Sequence, residues 1–300
     1  MKNISIALFG LLFSVHAFAD ASVTVSKAVA NGSYSVGIGS TVTLKSDDDK
    51  ISGPAIFLGN AVKPDGSSTF QMFLNTKTKK AYYIDSQNFS KISSKYQTVL
   101  DPMEQAGGTC TGYAIYDFLQ QTNLSGFQGS GELATKLSTE EGRTNLLVDS
   151  VNRYYLEMNH KLSISAILSG FGKDYGFSCK SLKSDSYDTV KTKVLAQLKA
   201  GSPVLFSFDI GPKMATAPFT ITKADEKNGE LDNRLWIPRK TGERNSGGHS
   251  IVAAASFELN GKTYLVMIDS DWSEPRIWDM DAYLNDPKTD LGAMEFVTCK

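Results

Sequence analysis

One cysteine at the head of a helical stretch and one histidine at the head of an apolar strand have the chemistry of a nucleophile and its base. Residues 105–114 read Gln-Ala-Gly-Gly-Thr-Cys-Thr-Gly-Tyr-Ala. This places Cys110 where a glycine-rich turn enters a helix. A helix N-terminus offers free N–H groups and a partial positive charge, and both favour the thiolate, the reactive form of cysteine. Gly107 and Gly108 let the backbone approach a substrate closely. Gln105, five residues upstream, can turn its amide toward the same point and build an oxyanion hole with the Cys110 N–H. Taken alone, the segment suits a buried free cysteine acting as a small hydrophobe equally well.

The second block is Gly247-Gly248-His249, followed by an apolar strand over 250–255. A turn at Asn260-Gly261 leads into a second strand, which ends in Ile268-Asp269-Ser270-Asp271-Trp272. A hairpin of this kind can bring a carboxylate to the imidazole, giving the base and orienting acid that a thiolate nucleophile needs. Register decides which acid. A two-residue loop puts His249 opposite Trp272, with Asp269 on the other face. A three-residue loop centred on Asn260 puts His249 opposite Asp271, with Asp269 one diagonal away on the same face. The pairing logic thus favours Asp271, and a bulge reconciles it with Asp269. His160, between Asn159 and Lys161 at the end of a long helical stretch, reads as a solvated helix terminus and is a weaker base candidate.

Several elements must position these groups. Residues 20–95 read as β, with Val23, Val25, Val36, Ile38, Val42 and Leu44 alternating with small or polar residues. Apolar runs follow at 55–58, 69–74 and 81–84. The 47–50 run Asp-Asp-Asp-Lys reads as a solvated turn, and the 77–80 run Lys-Thr-Lys-Lys as a hairpin tip. Helical spacing begins at 111–121. A second, longer helix follows the capping-box pattern of Ser138 and Glu141, with Leu147, Val151, Tyr154, Tyr155 and Met158 on one face. Shorter helices are expected at 164–170 and 190–199, then strands at 204–210, 250–255, 263–268 and 295–297. The polar stretch 223–246 reads as a long surface excursion. Helices first and strands later is an α+β pattern.

Composition removes several classes of function. A net charge of -1 over 300 residues carries no nucleic-acid footprint. No zinc-spaced Cys/His set and no phosphate-loop glycine motif is present. Residues 1–19 read as a secretory leader: Lys2, an apolar stretch over 4–18, and Ala17-Phe18-Ala19 before the cleavage point. No later run reaches 18 apolar residues, so stable membrane insertion is not expected. His16 belongs to the leader, which leaves His160 and His249. Export, to a periplasm or beyond, means an oxidising compartment in which the three cysteines, Cys110, Cys179 and Cys299, cannot all pair.

The ordered set Gln105, Cys110, His249, Asp269 resembles the papain-like cysteine peptidases, whose order is glutamine, cysteine, histidine, then asparagine or aspartate. Cys110 and His249 are 139 residues apart, within the ~130–150 residues known for papain itself. Gly201-Ser202-Pro203-Val204 is similar to the family's G-x-P-V stretch. Ile268-Asp269-Ser270-x-Trp272 is similar to its N-S-W block, whose tryptophan shields the histidine pair from water. The resemblance covers about residues 96–300. Thr111 stands where the family has tryptophan, the acid is aspartate, and the Gln105–Cys110 gap is one residue shorter than in plant papain. These departures are similar to a divergent bacterial exported branch.

The resemblance implies an α+β, papain-like domain over 96–300. A helical half carries Cys110 and an antiparallel β half carries His249 and Asp269. The β-rich domain over 20–95 precedes it as a pro-region or binding module. It implies hydrolysis of peptide or protein substrates through a Cys-His-Asp triad and an acyl-enzyme, with Gln105 at the oxyanion, no cofactor and no metal. It selects Asp269 as the orienter and leaves Asp271 as the alternative. The same residues suit a transglutaminase-like acyl transferase or a silent papain-like domain that binds peptide. A purely structural two-domain protein is the remaining alternative. With Cys110 as nucleophile, Cys179 and Cys299 are the expected disulfide.

Overall fold

The computed structural model describes residues 22–24, 34–35, 37–45, 51–63, 65–85, 92–93, 97–99, 104–105, 109–124, 131–159, 163–223, 233–272 and 274–300. The leader, the 47–50 turn, the 106–108 glycine turn, Met158's side chain and His160 lie outside these residues.

The chain begins with strands β1 (Ser22–Thr24), β2 (Tyr34–Ser35), β3 (Thr41–Lys45), β4 (Gly53–Val62), β5 (Thr69–Asn75), β6 (Lys80–Asp85), β7 (Ile92–Ser93) and β8 (Gln97–Val99). Four helices follow: α1 (Cys110–Leu124), α2 (Gly131–Leu137), α3 (Glu140–Asn159) and α4 (Ile164–Tyr175). Then come β9 (Cys179–Ser181), α5 (Tyr187–Lys199), β10 (Val204–Ile210), β11 (Ala215–Thr216), β12 (Phe219–Lys223) and β13 (Arg234–Leu235). The chain closes with β14 (Gly247–Leu259), β15 (Lys262–Ile268), β16 (Arg276–Asp279), α6 (Met280–Leu284) and β17 (Glu295–Cys299). The architecture is mixed, with a large sheet and six helices among the described residues, as the α+β pattern predicts.

Thirteen strands form one sheet, in the order β1-β3-β4-β5-β6-β12-β16-β15-β14-β10-β17-β9, with β8 parallel to β4. Side chains alternate across it, as the pleat requires. Leu205, Val252 and Ile268 face a core made with Ala114, Ile115, Phe118 and Leu119 of α1. Phe206, Ile251 and Met267 face the opposite side, where Val190, Val194 and Leu198 of α5 cover them. The parallel pair β6–β12 carries the sheet across residue 95. A third core joins Leu58, Leu74 and Tyr83 to Ile221, Val266 and Ile277. The strands over 20–95 therefore share both sheet and core with the residues that follow.

Local differences have local causes. The cap of α3 is Thr139, whose Oγ1 accepts from Gly142 N at 3.0 Å. The Ser138 hydroxyl turns back to Thr135 O at 2.7 Å, closing the short helix α2 that patterning did not separate. Tyr155 points outward at 40% exposure, because Leu146 and Leu147 already fill the buried side of α3. Gly112 lets α3 cross the first turn of α1: a Cβ there would sit 2.7 Å from Val151 Cα. The stretch 223–246 is not simply a surface excursion. Its described part, from 233, is a strap fastened to the end of β10. Arg239 N donates to Asp209 O at 2.8 Å and Ser246 N to Ile210 O at 3.0 Å. Ile210 and Pro238 form a bridge. Its polar composition hid these backbone bonds.

Candidate active site

Cys110 is the first residue of α1. It is partly buried and is the free cysteine of the described residues. Its Sγ donates to Gly248 O at 3.6 Å, which joins the helix start to the start of β14. The helix N-terminus supplies the positive end of a backbone dipole at the sulfur.

His249 reaches its acid through the β14–β15 hairpin. Asn260 (φ 53°) and Gly261 (φ 74°) make the two-residue turn, with Leu259 opposite Lys262. Primed turns of this kind need positive φ at both positions, which Asn and Gly adopt most readily. The register then shifts between Ala253 and Ala255. The bulge turns Asp269 onto the His249 side, and His249 Nε2 lies 3.0 Å from Asp269 Oδ1. Both residues are buried, at 3% and 2% exposure. Burial pulls the imidazole pKa down. The Asp269 charge and hydrogen bond, with a further hydrogen bond to the Cys110 side chain, outweigh it and push the value up to about 10.

Asp271 does not take the orienting place. Its N–H donates to Asp269 Oδ1 at 3.1 Å, and its carboxylate accepts from the Trp236 indole N–H. The Trp236 ring lies 6.2 Å from the His249 ring, and the Phe208 ring lies edge-on at 6.0 Å. The aromatic cover of the imidazole thus comes from the 233–246 strap and from β10. Trp272, the residue the N-S-W likeness selects, packs under the Arg276 guanidinium at 4.8 Å. Trp236 was hidden because it lies in a polar stretch with no periodicity.

Gln105 is placed by the loop after β15. Its N–H donates to Ser270 O at 2.8 Å, and its side-chain oxygen accepts from Ser270 Oγ at 3.1 Å. This leaves the amide NH2 as the end able to donate. Ser270 itself is buried beside Asp269. Asp117, two turns along α1 from Cys110, is a further buried acid that the sequence did not single out. Neither carboxylate oxygen has a hydrogen-bond partner. Burial and then the nearby Asp269 charge push its pKa well above the ordinary carboxylate range.

His249, Asp269 and Asp271 offer ligand atoms within 4.8 Å of one another. The bonds just described already engage all three side chains. The arrangement has the parts for nucleophilic attack on a carbonyl: a sulfur at a helix N-terminus, a buried imidazole, an orienting carboxylate and an amide donor. Comparison of the chain with family models, with curated proteins and with solved structures found no match.

Proposed function

We propose that this chain is an exported, papain-like cysteine peptidase in which Cys110, His249 and Asp269 are nucleophile, base and orienting acid. The observation that carries the reading is His249, buried and bound through Nε2 to Asp269 at 3.0 Å, directly after Gly248, whose carbonyl accepts from Cys110 Sγ at 3.6 Å. Structural histidines seldom need a thiol on one side and a carboxylate on the other; a thiolate–imidazolium pair needs both. The Cys179–Cys299 disulfide supports an oxidising compartment, in keeping with the leader.

Attack by the Cys110 thiolate on the scissile carbonyl forms the C–S bond and a tetrahedral oxyanion. The Cys110 N–H and the Gln105 amide meet that oxygen. Collapse expels the amine, which takes its proton from the His249 imidazolium. Neutral His249 then removes a proton from water, and the resulting attack releases the acid and restores the thiol. Asp269 fixes the tautomer throughout, accepting from Nε2–H so that the other nitrogen serves the sulfur.

The test is hydrolysis of a mixed peptide library by the mature protein, read by mass spectrometry beside Cys110→Ala. New peptide termini that vanish in the variant support the reading. Amine incorporation in excess of cleavage turns it into an acyl transferase. Peptides bound and recovered intact turn it into a binding domain.

A further inference from the structure

We propose that Thr111, Ser250 and Ser207 form a hydroxyl chain that reverses its hydrogen-bond direction when Cys110 ionises, and so stabilises the thiolate alongside His249. The proposal rests on the thiolate reading above. Thr111 follows the nucleophile in sequence and Ser250 follows the base. Their oxygens meet at 2.9 Å across the junction of α1 and β14. Ser250 Oγ donates onward to Ser207 Oγ at 3.0 Å, its direct neighbour on β10. At the other end, Thr111 Oγ1 lies 3.9 Å from Cys110 Sγ. Thr111 and Ser250 are buried, whereas Ser207 is half-buried, so the chain runs from the sulfur toward the protein surface.

Each hydroxyl carries one proton, so the chain points one way at a time. With Cys110 as a thiol, S–H donates to Gly248 O. Ser250 spends its proton on Ser207, so Thr111 spends its own on Ser250, and the chain points away from the sulfur. Transfer of the thiol proton to His249 changes the demand. The thiolate has no proton to give and needs donors. Rotation of the O–H bonds, with a small turn of the Ser207 side chain from its present accepting geometry, makes Ser207 donate to Ser250, Ser250 to Thr111, and Thr111 to the sulfur. Every oxygen keeps its own proton, and no bond to hydrogen breaks along the chain. A donor already in place in a buried site stabilises charge without the reorganisation that water requires. Valine and alanine would fill the same space without the cost of burying the Thr111 and Ser250 hydroxyls. The chain also gives Thr111 a purpose at the position where the papain-like pattern has tryptophan.

The test is the rate of iodoacetamide labelling at Cys110 from pH 5 to 9 in the whole mature protein. Thr111→Val, Thr111→Ser, Ser207→Ala and His249→Ala are measured beside the wild type, with the unfolding temperature of each. Thr111→Val is expected to slow labelling about tenfold at pH 6 and to rejoin the wild type by pH 9, the loss of one charge-assisted hydrogen bond. Thr111→Ser restores the rate. Ser207→Ala shifts the profile in the same direction and carries the test if Thr111→Val does not fold. A Thr111→Val profile equal to wild type, or slowed equally at every pH, overturns the hydroxyl chain. In those cases a slowed His249→Ala leaves the thiolate reading standing. A slowed Thr111→Val with an unchanged His249→Ala sinks both, because the thiol proton then does not pass to His249.

Discussion

His249 and Asp269 meet because the β14–β15 ladder slips by one residue at Ala254. From Leu259 to Ala255 the pairing follows the two-residue Asn260-Gly261 turn, and from Ala253 onward it runs one residue off. Without the slip Asp269 would stand on the opposite face of the hairpin from His249, since a one-residue change of register exchanges the faces. The bulge therefore sets the site as much as either side chain does.

Asp269→Asn keeps the shape and removes the charge. The carboxylate is the main influence raising the imidazole pKa to about 10 against burial. On the proposed mechanism, wild-type His249 keeps the proton meant for the leaving amine until the pH passes through that value. The alkaline limb of kcat/KM is expected near pH 10, and in Asp269→Asn it moves down toward the ordinary histidine range. The rate at pH 7 falls by ~100-fold or more, the order seen when an orienting acid is lost. A pH–rate profile of both proteins checks this.

The same shift links stability to pH. The folded imidazole binds its proton more tightly than the unfolded one, whose value is 6.5. Its contribution is fully present below pH 6.5 and is lost as pH rises through about 10. Urea titrations from pH 6 to 10.5 should show wild-type stability falling over that window. The fall should flatten in His249→Ala.

Trp236 covers the imidazole and hangs from Asp271. Trp236→Ala admits water to the His249–Asp269 bond. It is expected to lower kcat/KM about tenfold and to bring the alkaline limb down, because the solvated pair interacts more weakly. Trp236→Phe keeps a ring without the N–H and should fall between the two. An unchanged pH profile in Trp236→Ala would falsify the shielding role.

The disulfide joins β9 and β17 across a sequence separation of 120 residues. The paired Cys179→Ala/Cys299→Ala variant should lose stability by up to ~5 kcal/mol. Neither cysteine belongs to the proposed triad, so Cys110 labelling at 25 °C should be unchanged. Urea unfolding and labelling of the variant test the two halves of this expectation.

Removal of residues 20–95 would expose Ile221, Val266 and Ile277, all fully buried against Leu58, Leu74 and Tyr83. At about 2 kcal/mol for each aliphatic side chain, the loss is comparable with the ~5–15 kcal/mol of a whole domain. A chain beginning at residue 96 should show no cooperative unfolding by circular dichroism. A soluble, active truncation would support a separate pro-region or binding module over 20–95.

The elements that sequence patterning reached are those whose signal is local. The strand over 204–210 matches β10, and the Asn260-Gly261 turn and the helix after Cys110 also agree. Periodicity, turn chemistry and helix entry are set within a few residues. Strap and shared core were not legible, because each depends on partners far along the chain, and the bulge was only one of the registers the hairpin allowed. Pro238 bridges to Ile210, and Leu58 packs with Val266.

The sequence by itself determined the residue types available for chemistry: one glycine-flanked cysteine at a helix start, one histidine before a strand, and two acids at the end of its partner. Its pairing logic leaned to Asp271 and its family likeness to Asp269, and nothing in it marked Trp236. The tertiary structure puts Asp269 against His249 and the Trp236 ring beside it. A one-residue bulge reverses which face a side chain takes, and a strap closed by distant backbone hydrogen bonds brings in a tryptophan that no local pattern marks.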